Sequence, residues 1–133
     1  MNRSLALVVS TEKDLRELIA HSLSRLGYQV EIHSDVEQAY QFLTQNDVSL
    51  TITDIDVGHQ NAGLALCRSA KELSPFQPII IMSDGVANDG DRINDAGGFY
   101  LTKPFSLTDL KSAISGPTFV LASNIHNSLA SAR

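Results

Sequence analysis

Three short runs constrain this chain more than anything else in it: "LALVV" (residues 5–9), "LTIT" (50–53) and "PIIIM" (78–82). A strand with one wet face alternates apolar and polar residues, so an unbroken apolar or β-branched run implies burial on both faces. Amphipathic stretches separate these runs. "DLRELIAHSLSRLG" carries Leu15, Leu18, Ile19, Leu23 and Leu26 at helical spacing, with Gly27 as its predicted stop. "YQVEI" alternates and predicts a second strand, and Ser34 with Glu37 matches a capping box opening "VEQAYQFLTQ". Val36, Ala39, Tyr40 and Leu43 then share one helical face. "LALCRSAKEL" reads as a third helix, and "QPIIIMSD" as a fourth strand with Pro78 at its start, where no ladder hydrogen bond is lost. "FYLT" is the fifth strand, and "SLTDLKSAI" a short final helix capped by Ser106. Residues 84–98 are glycine-rich and predict only a weak fourth helix, one or two turns around residues 91–96.

Strands alternating with helices predict an α/β domain, a three-layer doubly wound five-stranded parallel sheet covered on both faces. Right-handed crossovers bring the carboxyl ends of all strands to one edge, and ligands bind outside that edge where the strand order reverses. This rule gathers Ser10, Thr11, Asp54, Ser83 and Lys103, which are far apart in the chain.

Bulk properties exclude several classes. A net charge of −5 with no two adjacent Lys or Arg residues offers no basic face for nucleic acid. Cys67 is the single cysteine and reads as a core residue on a helix, so no intramolecular disulfide forms. His21, His33, His59 and His126 show no metal-ligand spacing, and no metal or cofactor site is expected from them. No apolar run approaches the ~18 residues of a membrane span, and the cytoplasm is the expected location.

The order and content of "LALVVSTEKDLRELI", "SLTITDID", "PIIIMSD" and "YLTKPFSLTDL" resemble the response-regulator receiver domain, the CheY-like fold. The resemblance spans roughly residues 5–114 and implies the flavodoxin-type strand order 2-1-3-4-5. It makes Asp54 the phosphoacceptor, Ser83 the hydroxyl that follows the phosphoryl group, and Lys103 its cationic partner. Tyr100 corresponds to the family's aromatic switch. The Lys103–Pro104 bond resembles one that is cis in the family, aiming the ammonium into the cleft. A carboxylate can attack a phosphoryl group to give an acyl phosphate, and fixed donors and cations must then meet the charge on the transferring oxygens.

The departures from the family pattern are concentrated at the pocket. Where the family ends its first strand in two acids that hold Mg²⁺, this chain has Ser10 and Thr11. Glu12 stands one position later and would have to reach back. Mg²⁺ is ordinarily held by one or two carboxylates plus waters and phosphate oxygens, so Asp54 alone beside a lysine predicts weak binding at best. The loop "IDVGHQNAG" lacks the family's usual Met-Pro, and Asp84 adds negative charge beside the pocket.

The expected organisation is a receiver-like domain over residues 1–116, followed by a tail or extra short helix over 117–133. In that tail Ile125, Leu129 and Ala132 fall on one helical face, and a homodimer is one way to cover it. With no second domain in this sequence, no enzymatic output is expected. The expected role is a stand-alone two-component signalling receiver in a phosphorelay, weakly phosphorylated or not at all, working through a histidine kinase or another signalling protein. The alternatives are a fully phosphorylatable response regulator and a small anion- or nucleotide-binding flavodoxin-like module. Against the last, Glu12 and Asp14 would repel a phosphate at the first helix.

Overall fold

The computed structural model describes residues 4–84 and 99–115. The runs that anchor the sequence reading become strands β1 (Leu5–Val9), β3 (Leu50–Asp54) and β4 (Ile79–Ser83), joined by β2 (Gln29–His33) and β5 (Phe99–Thr102). Among the described residues the helices are α1 (Lys13–Arg25), α2 (Val36–Gln45), α3 (Ala62–Leu73) and α4 (Leu107–Ser115). The five strands pair in parallel in the order β2-β1-β3-β4-β5. This is the α/β fold and the strand order expected. The weak fourth helix is expected within residues 84–98, and a tail or extra short helix over 117–133. Apart from Asp84, both segments lie outside the described residues.

The unbroken runs have the reason anticipated for them. Leu7, Val9, Ile79 and Ile81 pack with Leu43, Leu64, Leu66 and Cys67 beneath α2 and α3. Their neighbours Ala6, Val8, Ile52, Ile80 and Met82 turn to the other face and pack with Ile19, Leu23, Leu110 and Ile114 of α1 and α4. Every residue of β3 and β4 is buried, whereas the edge strands β2 and β5 are only partly covered.

Helix faces are narrower than the spacing alone predicted. In α1, Ile19, Ser22 and Leu23 are buried, but Leu18 and, just past the helix end, Leu26 are exposed. At about 100° per residue the sheet covers only the central stripe, and leucines on its flanks meet water. Tyr40 is likewise exposed, while Ala39 and Leu43 of the same helix are buried.

The helix ends carry one correction. α2 is capped by Asp35, not Ser34: its carboxylate accepts from the Glu37 amide at 2.7 Å and the Gln38 amide at 3.2 Å. The helix starts at Val36, so Asp35 is the adjacent acceptor, and its charge suits a helix N-terminus better than a hydroxyl does. Ser106 caps α4 as expected; its hydroxyl accepts from the Asp109 amide and Asp109 accepts from the Ser106 amide, both at 3.0 Å. Gly27, at φ 99°, ends α1 in a Schellman arrangement, with Tyr28 N–H donating to Leu23 C=O and Gly27 N–H to Ser24 C=O. Among the described residues no helix is long and apolar enough to cross a membrane.

Candidate functional site

Backbone bonds carry the strand ladders one step past the strands and fix the residues that follow. Ser10 N–H donates to His33 C=O at 3.1 Å, Ile55 N–H to Met82 C=O at 2.9 Å, and Lys103 N–H to Ser83 C=O at 2.7 Å. The carboxyl ends of β1, β3, β4 and β5 thereby surround a cavity of about 250 Å³, lined by Thr11, Glu12, Asp54, Asp56, Ser83, Asp84 and Lys103 among others.

Asp54 sits at the floor of this cavity. The end of β3 and the start of α3 are pressed together there: Gly63 and Leu64 both donate to Ile55 C=O, at 3.1 and 3.2 Å. A Cβ on Gly63 would lie 1.7 Å from the Asp54 carbonyl oxygen, a contact no side chain can make. Only glycine permits this approach. The preceding turn is closed by Asp56, whose carboxylate accepts from the Asn61 amide at 2.5 Å, with Asn61 in the left-handed region at φ 63°.

Lys103 reaches the cavity from the end of β5, beside a cis Lys103–Pro104 bond. Its ammonium lies 2.6 Å from Asp54 Oδ1 and also binds Glu12 Oε2. The Asp54 contact is a close ion pair. The Asp54 side chain is 6% exposed, that of Lys103 18% and that of Glu12 57%. Burial pulls the Lys103 ammonium down, but Asp54 and Glu12 outweigh that and hold it above its ordinary range.

The structure thus brings Asp54, Ser83 and Lys103 into one pocket. Ser83 is buried at the end of β4, and Thr11 lines the opening. Ser10 is fully buried, and its hydroxyl is engaged in the loop, accepting from the Glu12 amide at 3.1 Å. Tyr100 is 42% exposed on the edge strand and Pro104 is exposed; neither lines the cavity around Asp54. Two participants were not assigned from the sequence. Glu12 stands a position beyond the family's acids, yet the turn made by Ser10 swings it back to Lys103. Gly63 falls in the loop that the sequence reading places before the third helix, whereas that helix starts at Ala62, and only the path of the chain reveals the approach of Gly63 to Asp54.

The donors here do not suit a divalent ion. The two nearest carboxylates are both engaged by Lys103, and the position of the family's first acid is a buried hydroxyl facing the loop backbone. Among the described residues no group of three or more His, Cys, Asp or Glu is placed to hold a metal. Hard cations that give up water reluctantly need free oxygens.

The fold, the pocket and the sequence converge on one class. The response regulator receiver domain family matches residues 6–115, and the chain belongs to that family. Among curated relatives it is 31% identical over 112 residues to the response regulator receiver protein CpdR of Brucella abortus, covering 81% of this chain and 91% of that protein. It is 30% identical over 112 residues to the DNA-binding transcriptional regulator NtrC of Rhizobium meliloti, covering 83% of this chain and 23% of the relative. The chain spans 22–24% of the length of the three NtrC regulators it matches. Among solved structures, a response regulator receiver protein from Sinorhizobium medicae superposes with a TM-score of 0.77 at 25% identity, over 84% of this chain and 91% of that one. A CheY-like receiver domain protein from Methanospirillum hungatei gives a TM-score of 0.82 at 19% identity, over 92% and 98%, and attests the fold.

Proposed function

We propose that this chain is a two-component signalling receiver that keeps the phosphoacceptor carboxylate at Asp54 but has weak or no Mg²⁺-assisted phosphoryl chemistry, and that signals through contacts with a histidine kinase or another signalling protein. The observation that carries this reading is the Lys103 ammonium held between Asp54 and Glu12, in a pocket where, among the described residues, no group of three or more His, Cys, Asp or Glu is placed to hold a metal. Transfer from a phosphohistidine would require an Asp54 oxygen to bond phosphorus while the P–N bond breaks and the imidazole regains a proton. Asp54 would have to leave Lys103 partly exposed to the incoming group, and its side chain is almost wholly buried.

Incubation with acetyl phosphate at millimolar Mg²⁺, read by intact mass, tests the reading. The unmodified chain is expected to show little or no phosphoryl adduct. Ser10→Asp/Thr11→Asp is expected to bind Mg²⁺ more tightly and gain some adduct at Asp54, because an Asp at position 10 can still accept from the Glu12 amide while offering a second oxygen. Rapid, Mg²⁺-dependent modification of the unmodified chain would overturn the reading. It would favour the fully phosphorylatable alternative, for which the shared pocket of Asp54, Ser83 and Lys103 speaks.

A further inference from the structure

Glu12 and Asp84 are both pocket carboxylates outside the family pattern, and Glu12 is the one whose contact with Lys103 the structure shows; its position is built rather than incidental. Its amide donates to the Ser10 hydroxyl at 3.1 Å, its carbonyl accepts from the Arg16 amide at 3.0 Å, and the Arg16 guanidinium donates to Ser10 C=O at 2.7 Å. The β1–α1 turn is therefore tied at both ends, and a buried serine hydroxyl sets the direction in which Glu12 leaves it. The carboxylate then comes over Lys103 from the solvent side, more than half exposed, while Asp54 meets the same ammonium from the buried side. An anionic group carried on Asp54 would have to approach Lys103 from that same open side.

We propose that Glu12 is an internal anion for the Lys103 subsite: it occupies the face of the ammonium that a phosphoryl group on Asp54 would need, and holds the pocket closed. This deepens the reading of Asp54 as the phosphoacceptor position and rests on it. Glu12 acts as a positioning residue, competing for Lys103 without taking part in bond making. The serine that replaces the family's first acid is then part of the same device, since it aims Glu12.

The test uses the full chain with Glu12→Gln, which keeps the shape and removes the charge, and Glu12→Asp, which keeps the charge and shortens the reach. Acetylation of Lys103 by limiting acetic anhydride is measured by mass spectrometry against the exposed Lys13 and Lys111. Beryllofluoride binding is followed by amide NMR at matched Mg²⁺ concentrations. In Glu12→Gln, Lys103 acetylation and beryllofluoride affinity are both expected to rise several-fold, the scale set by a partly exposed ion pair. Glu12→Asp should fall between that variant and the unmodified chain. Unchanged Lys103 acetylation in Glu12→Gln, or weaker beryllofluoride binding, overturns the proposal and makes Glu12 a loop carboxylate or a helper of the bound anion. Ser10→Asp/Thr11→Asp separates the two readings: if it gains Mg²⁺-dependent adduct while Glu12→Gln changes nothing, the functional reading stands and the Glu12 proposal falls. Conversely, raised Lys103 acetylation in Glu12→Gln supports the Glu12 contact even where the unmodified chain is readily phosphorylated and the functional reading fails.

Discussion

Replacing Asp54 by alanine asks whether this pocket behaves as an acid cluster or as an ion pair, because the two predict opposite signs. Four carboxylates (Glu12, Asp54, Asp56 and Asp84) surround one ammonium, and a count of charges alone would have the removal of any acid relieve repulsion and stabilise the fold. Distance and solvent reverse that expectation. The Asp54–Lys103 contact is 2.6 Å long and lies mostly out of water. At an effective dielectric of 20 such a contact is worth roughly 6 kcal/mol before desolvation. Asp56 and Asp84 are exposed, and a charge about 6 Å away through water contributes only ~0.7 kcal/mol of repulsion.

Removing Asp54 also removes its own desolvation cost, and Lys103 keeps Glu12 as a partner. The full penalty of about 3–5 kcal/mol for breaking a buried pair is therefore an upper limit. The expected net loss is about 1–3 kcal/mol, a fall in melting temperature of roughly 3–10 °C for a domain of this size. Asp54→Asn, which keeps the shape, should show most of the same loss. Calorimetry together with urea unfolding at constant m-value measures it. A clear rise in melting temperature for either variant would refute the reasoning and mean that repulsion governs the pocket.

Three further outcomes follow from the same geometry. Gly63→Ala should destabilise the fold by about 3 kcal/mol or more and shift the amide resonances of Asp54 and Ile55, because its Cβ would stand 1.7 Å from backbone that cannot retreat without moving α3. Lys103 has its pKa raised in the folded state, so its stabilisation is fully present below its ordinary value of 10.5 and is lost as pH rises through the higher folded value. Unfolding followed on the alkaline side should show that loss in the unmodified chain and not in Lys103→Met. Burial pushes the Cys67 thiol up to about 12, and the residue is wholly inaccessible, so a thiol reagent at neutral pH should label it only as fast as the chain unfolds, with urea accelerating the reaction.

Much of this architecture is legible in the sequence because burial on both faces writes itself into consecutive residues. β4 reads as Ile79, Ile80, Ile81 and Met82 without a polar break, and every one of them is fully buried. Parallel strands must be crossed over by helices, so the placement of Asp54, Ser83 and Lys103 at one edge follows from the order of elements alone. What could not be read was set by angles within a single turn. Ser34 and Asp35 both carry oxygens that suit a cap, and which one is used depends on where the first helical residue falls, a matter of one position. Leu18 and Ile19 are adjacent and both strongly apolar, and which of them is covered depends on how α1 is rotated about its axis over the sheet. Glu12 is the case with functional weight. Counted along the chain, it is one residue too late to be a pocket acid. Counted through space, the ST-turn at Ser10 shortens that extra residue to nothing, and the carboxylate arrives at Lys103. That carboxylate meets Lys103 from the solvent side, opposite the buried Asp54, while Ser10 and Thr11 stand where the family carries its acid pair. Two acids of the family pattern are missing from the floor of the pocket and one carboxylate stands at its mouth, so the balance of charge around Lys103 is set by where a single turn points its side chain, which residue spacing does not record.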